Sequence, residues 1–148
     1  MTGNNTLLLT VHEQTQELLA QFNKRRVERD VSASHVGVEA FQLAKDSGDV
    51  VLIYEAGSAL AGFYMDVVSE FQQALAVLSD MEVYFEQEEQ VEQLSEIWRR
   101  KGLGFDYVGE LLLSKEAYEK SIQLLESRHP LSETGFLTLA RSYFNLSI

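Results

Sequence analysis

The chain has no cysteine among its 148 residues. Disulfides, thiolate metal sites and cysteine nucleophiles are thereby excluded, and a reducing compartment, the cytoplasm, is the simplest setting. Proline is nearly absent as well: a single one imposes few breaks on the backbone, and many Glu, Gln, Leu and Ala residues then favour long helices. No apolar run approaches the ~20 residues that span a bilayer, so no membrane partner is expected. The opening MTGNNTLLLTVHEQTQ has no basic n-region, and its apolar residues 7–9 are too few for a signal peptide. Basic residues are scarce, 12 against 23 acidic, and the formal net charge of −11 repels nucleic acid at long range. Lys24, Arg25, Arg26 and Arg29 are the main local exception. They read as a helix C-terminus, where cations complement the dipole, or as a contact for an acidic segment.

What is present fits a folded helical chain. Hydrophobic residues make up 45% and charged residues 24%, ordinary values for a globular protein. Apolar residues at spacings of three and four predict helices over about 11–29, 35–45, 68–85, 91–108, 114–127 and 132–146. Ser32 and Ser34 are candidate N-caps, Gly48 suits a left-handed helix end, and Pro130 marks the last break. The run VVLIY at 50–54 could form a buried strand, but no other segment could pair with it. The small residues Ala56, Gly57, Ala59, Ala61 and Gly62 indicate instead a helix packed closely on its neighbours. Residues 80–96 hold seven acidic side chains and no basic one, a pattern expected of a solvated face and turn.

Self-similarity carries the most information. Trp98, Gly102 and Phe105 lie at helical spacing on one helix, and Ser114, Tyr118 and Ser121 follow on the next. Small residues at 102, 114 and 121 would let two antiparallel helices approach, with Trp98, Phe105 and Tyr118 filling the space between turns. Shifted by 38 residues, Phe136, Leu139, Ala140 and Tyr143 fall on Trp98, Lys101, Gly102 and Phe105. Shifted back by 41, Gly57, Leu60, Ala61 and Tyr64 occupy the same places. Further back, Leu19 and Ala20 match the first helix and Gly37, Phe41 and Ala44 the second, while Asn23 breaks the aromatic position.

This pattern resembles the tetratricopeptide repeat, whose ~34-residue unit places Trp, Leu-Gly and Tyr on one helix and small, aromatic and small residues on the next. Lys101 departs from the family's Leu, and Pro130 comes about one turn late. The resemblance implies an all-α fold of antiparallel helix hairpins stacked as a short right-handed superhelix, residues 1–148 forming one repeat domain. Residues 1–47 and 48–94 would be degenerate repeats, 95–130 a clear one and 131–148 an incomplete one, the whole being the N-terminal part of a longer protein. It further implies a concave surface that binds a protein or peptide partner. Carried over by position, that surface includes Arg99, Leu103, Asp106, Tyr107, Leu137, Arg141 and Phe144. The Lys and Asn set with which some family members clamp a C-terminal carboxylate is not evident. Leu137, Leu139, Tyr143, Phe144, Leu146 and Ile148 would leave an apolar surface that a second copy could cover as a homodimer.

No catalytic constellation, metal set or cofactor motif emerges, and the chain reads as a non-enzyme. His12, His35 and His129 are far apart in sequence and fit surface or capping roles. Gly102-Leu-Gly104 has neither the third glycine nor the preceding strand of a phosphate loop. The expected function is that of a non-catalytic interaction or regulatory module of a bacterial signalling protein, acting on a partner or on its own output domain. The competing expectation is a closed helical bundle that senses a small apolar ligand in a pocket lined by Tyr54, Phe63, Trp98 and Phe105.

Overall fold

The structure, a computed structural model, describes residues 10–86, 90–128 and 130–147. Among these residues the chain is all-helical, with no strand. Seven α-helices follow in order: α1 (Val11–Val27), α2 (Ser34–Ser47), α3 (Val50–Asp66), α4 (Phe71–Glu82), α5 (Val91–Tyr107), α6 (Leu111–Glu126) and α7 (Glu133–Ser147). They fall into two compact units, Met1–Ser69 and Glu70–Ile148. The boundary lies inside the segment read as the 48–94 repeat, so α3 and α4 belong to different units.

In the first unit α1 packs on α2, α2 on α3, and α1 also meets α3. Thr10 caps α1, its hydroxyl accepting from the Glu13 N–H at 3.1 Å. The basic cluster does sit at the end of this helix, with Lys24, Arg25 and Arg26 in its last turn. Arg29 takes a left-handed conformation, φ 57°, and donates from Nη2 to the Asp66 carbonyl at 2.9 Å, satisfying an end carbonyl of α3. Ser32 and Ser34 do not cap α2. Asp30 accepts from the Ser32 N–H at 3.0 Å and opens a 3-10 turn, Val31–Ala33, from which α2 continues without a side-chain cap. Gly48, at φ 71°, ends α2 as its sequence position suggests. Asp49 then caps α3 through the Val51 N–H at 2.9 Å, and His35 Nδ1 lies 3.0 Å from the Ser32 carbonyl oxygen.

The run VVLIY is helical, and nine residues of α3 are buried. Phe22 and Phe63, both fully buried, meet edge to face with centroids 5.3 Å apart. Gly37 lies flat against the Phe22 ring: a Cβ there would come within 2.7 Å of it. Ala20, matched by sequence to the small position of the repeat, is instead exposed. Here the aromatic ring is on α1 and the glycine on α2, so the small and large partners have exchanged helices.

In the second unit α4 packs on α5, α5 on α6, α6 on α7, and α5 also reaches α7. The pairing is that of consecutive hairpins. Gly102 and Tyr118 form the closest approach between α5 and α6, where a Cβ on Gly102 would sit 2.6 Å from the ring. Ser114 Oγ donates to the Gly102 carbonyl at 2.9 Å and fixes the same level. Gly109, at φ 83°, makes the turn between the two helices. Buried hydroxyls continue the contact into α7: Ser95 Oγ donates to the Ser121 carbonyl at 2.8 Å, and the Ser121 and Ser142 hydroxyls are 2.7 Å apart. The family's Leu position, here Lys101, is buried, and its Nζ lies 2.9 Å from Glu82 Oε2 and 4.2 Å above the Trp98 ring.

The acidic run 80–96 is therefore not simply a solvated face. Asp80 and Glu86 are exposed, but Glu82 holds Lys101, Glu92 reaches the start of α7, and Glu96 is 7% exposed. Each of these last three finds a cation, hydroxyl or backbone N–H supplied by chain distant in sequence or by the next helical turn, a placement that charge counting cannot anticipate. Glu88, Glu89 and His129 lie outside the described residues.

Candidate partner-binding surface

The seven residues expected on the concave surface come from α5 and α7, and the structure separates them by engagement. On α5, Arg99 is half-buried and grips Glu96 through two bonds, Nε to Oε2 at 2.9 Å and Nη2 to Oε1 at 2.6 Å. Leu103 is half-buried. Asp106 and Tyr107 are exposed, but the Tyr107 ring stacks on Phe71 of α4 with centroids 4.5 Å apart. Thus Arg99 and Tyr107 already have occupations within the unit. On α7, Leu137, Arg141 and Phe144 are all exposed.

The two sets flank one polar junction. Glu96 accepts from Arg99, from Arg100 Nε at 3.2 Å and, across to α7, from Thr138 Oγ1 at 3.0 Å. Burial would raise its pKa, yet the Arg99 hydrogen bond and the charges of Arg99 and Arg100 outweigh that cost and hold the carboxyl below its ordinary range. One helical turn earlier, Glu92 Oε2 accepts from the Ser132 N–H at 3.2 Å and its other oxygen bonds the Ser132 hydroxyl, so α5 supplies an acceptor at the α7 N-terminus. Nearby, the Tyr118 hydroxyl is pushed up to about 12, first by burial and then by the negative charge of Asp106.

These bonds orient α7. It faces the rest of the unit with Gly135, Thr138 and Ser142, three small or polar residues. Its outward side carries Phe136, Leu137, Tyr143 and Phe144, exposed by 59%, 49%, 49% and 65%. Phe136 was expected to fill a packing position like that of Trp98 and instead joins the exposed set; its aromatic ring at the same helical phase as Tyr143 was the available signal. Leu111, Leu112 and Leu113, before the expected start of α6, are also exposed.

The pocket residues of the competing expectation divide between the units: Tyr54 and Phe63 in the first, Trp98 and Phe105 in the second. Phe63 is fully buried against Phe22 and Tyr64, and the Trp98 ring is covered by Lys101. A surface depression of about 230 Å³ is lined by Val91, Glu92, Gln93, Arg128 and Ser132, and it surrounds the Glu92–Ser132 bond. Among the described residues no three His, Asp or Glu side chains converge as a metal set, and no helix is long and apolar enough to cross a membrane. Compared with known proteins, the chain matches no family model, no curated protein and no solved structure.

Proposed function

We propose that this chain is a non-catalytic protein-interaction module, with α7 as the surface it offers. The observation that carries the reading is the inversion of α7. Its buried side is Gly135, Thr138 and Ser142, whereas its aromatic residues point outward. An apolar cluster of this size on one helix face is characteristic of contact surfaces, and aromatics are enriched at the centres of interfaces. The repeat-like packing of Gly102 on Tyr118 supports placing the module among helical arrays that act by binding proteins. A regulatory role in a bacterial signalling protein, exerted on a separate partner or on the protein's own output domain, is the biological setting of this proposal.

The test is site-specific photo-crosslinking in the native cell. A photoreactive residue at Leu137 or Phe144 is expected to yield a discrete protein adduct, and the same group at exposed Glu116 of α6 is expected to yield none. Equal labelling at all three positions, or none at any, would overturn the assignment.

A further inference from the structure

The exposed face of α7 has an internal symmetry. Phe136 and Phe144 lie four residues on either side of Ala140, and Leu137 and Tyr143 lie three residues on either side. Ala140 itself is exposed. A second α7 running antiparallel and crossing at Ala140 would bring its own Phe144 and Tyr143 to the level of Phe136 and Leu137. A small residue at the crossing is what close helix approach requires. Ala140 also occupies, in the repeat alignment, the place of Gly102, where α5 admits α6 most closely. Both features single out one point of the helix.

We propose that α7 is a homodimerisation surface, pairing with the α7 of a second copy in antiparallel orientation about a two-fold axis at Ala140. The proposal rests on the interaction reading above and names its partner. A two-fold contact brings residue i against j and j against i, and with the axis at Ala140 it sets large apolar residues against large apolar residues with the small one at the crossing. The area is small and fits a weak, transient pair. Taking about 200 Å² for each aromatic side chain and somewhat less for leucine, the four exposed fractions amount to roughly 450 Å² per chain, or about 900 Å² for a pair. That is near the ~1,000 Å² lower margin of specific interfaces, so a micromolar, reversible dimer is expected. The −11 charge on each copy opposes association at low ionic strength, so added salt should tighten it.

The cysteine-free sequence permits a clean experiment. In Ala140→Cys the two thiols meet at the axis and should form a disulfide dimer under mild oxidation. In Phe136→Cys the two copies of the residue are separated by eight helical positions, roughly 12 Å along the axis, beyond disulfide reach. Phe136→Cys and Phe144→Cys should each stay monomeric alone and should crosslink when mixed. Crosslinking of all three single variants alike would mean a parallel or random encounter and would overturn the proposal. Sedimentation equilibrium provides the second measurement: the unmodified chain should dimerise, and Ala140→Glu, at an exposed position, should be monomeric with unchanged circular dichroism. An unmodified chain that remains monomeric at high micromolar concentration overturns the proposal too. If Leu137 then still labels a different protein in cells, the interaction reading survives without the dimer; if it labels nothing, both fall.

Discussion

The same substitution, glycine to alanine within a helix, should have opposite effects in α3 and α5. In a helix interior the exchange stabilises by about 1 kcal/mol because alanine loses less backbone freedom on folding. At Gly62 the new methyl would have only Arg26 Nη1 nearby, at 3.6 Å, which is ordinary contact. Gly62→Ala should therefore gain roughly 0.5–1 kcal/mol. At Gly102 the methyl would meet three Tyr118 ring atoms at 2.6, 2.7 and 2.9 Å. That ring is only 3% exposed, and the Ser114–Gly102 hydrogen bond resists separation of the helices at the same level. Overpacking of this kind costs about 1–3 kcal/mol, which offsets the helix-propensity gain and leaves a net loss of up to roughly 2 kcal/mol. Urea unfolding would measure both: Trp98 is the only tryptophan and its fluorescence reports the second unit, while far-ultraviolet circular dichroism follows the helices of both units, so a transition seen in it but not in fluorescence belongs to the first. Removing the ring in Gly102→Ala/Tyr118→Leu should leave a favourable coupling of about 1 kcal/mol or more in a double-mutant cycle. A Gly102→Ala protein as stabilised as Gly62→Ala would refute the proposed apposition of α5 and α6.

Two further outcomes follow from the buried charges. Glu96 is held below its ordinary pKa in the folded protein, so its contribution to stability is full above the unfolded-state value and fades as pH falls through the folded one. Glu96→Gln should cost about 1–3 kcal/mol at pH 7 and flatten the stability profile below about pH 5; an unchanged acid limb in urea titrations would contradict the assignment. Lys101→Ala strands Glu82 and uncovers Trp98, and should cost about 2–3 kcal/mol. The paired exchange Lys101→Met/Glu82→Gln should lie within about 1 kcal/mol of the parent by thermal unfolding, because it removes both charges and keeps the volume.

The helices were legible because their signals are local. Periodicity located six of them to within a few residues, the small residues of 56–62 indicated the seventh, and Gly48 ends α2 where a residue free to adopt φ 71° was needed. The residue types at 102 and 118 indicated close packing without any partner being known, because a glycine and a large ring at matching positions have few other uses in a helix hairpin. What escaped was decided across elements. The roles of Glu82, Glu92 and Glu96 depend on Lys101, Ser132 and Thr138, of which two lie 40 and 42 residues away from their carboxylate. Gly37 is a close-packed small residue on α2 as the repeat phase assigned, but the ring it meets is Phe22 of α1 and the α1 small position, Ala20, is exposed, because close packing needs one small and one large partner and does not specify which helix carries which. The α1 register was accordingly the part least determined by the pattern.

The candidate surface shows how far local pattern reaches. Leu137, Arg141 and Phe144 were placed on a binding face by their position in the repeat, and all three are exposed. Arg99 and Tyr107 came from the equivalent reasoning on α5, yet each is engaged within its own unit, by Glu96 and by Phe71. The difference arises from neighbours. Helix α5 packs on α4, α6 and α7, and their side chains occupy its flanks; among the described residues of its unit, α7 packs chiefly on α5 and α6. The outward side of α7 corresponds in phase to the side of α5 that receives α6, with Ala140 in the place of Gly102 and Tyr143 in that of Phe105. In the proposed reading this face of α7 is one that a partner covers, and the buried hydroxyls of α7 and its bonds to Glu92 and Glu96 already hold it in register. Preorganisation of this kind lowers the ordering cost of association, which lets a small apolar face support specific binding.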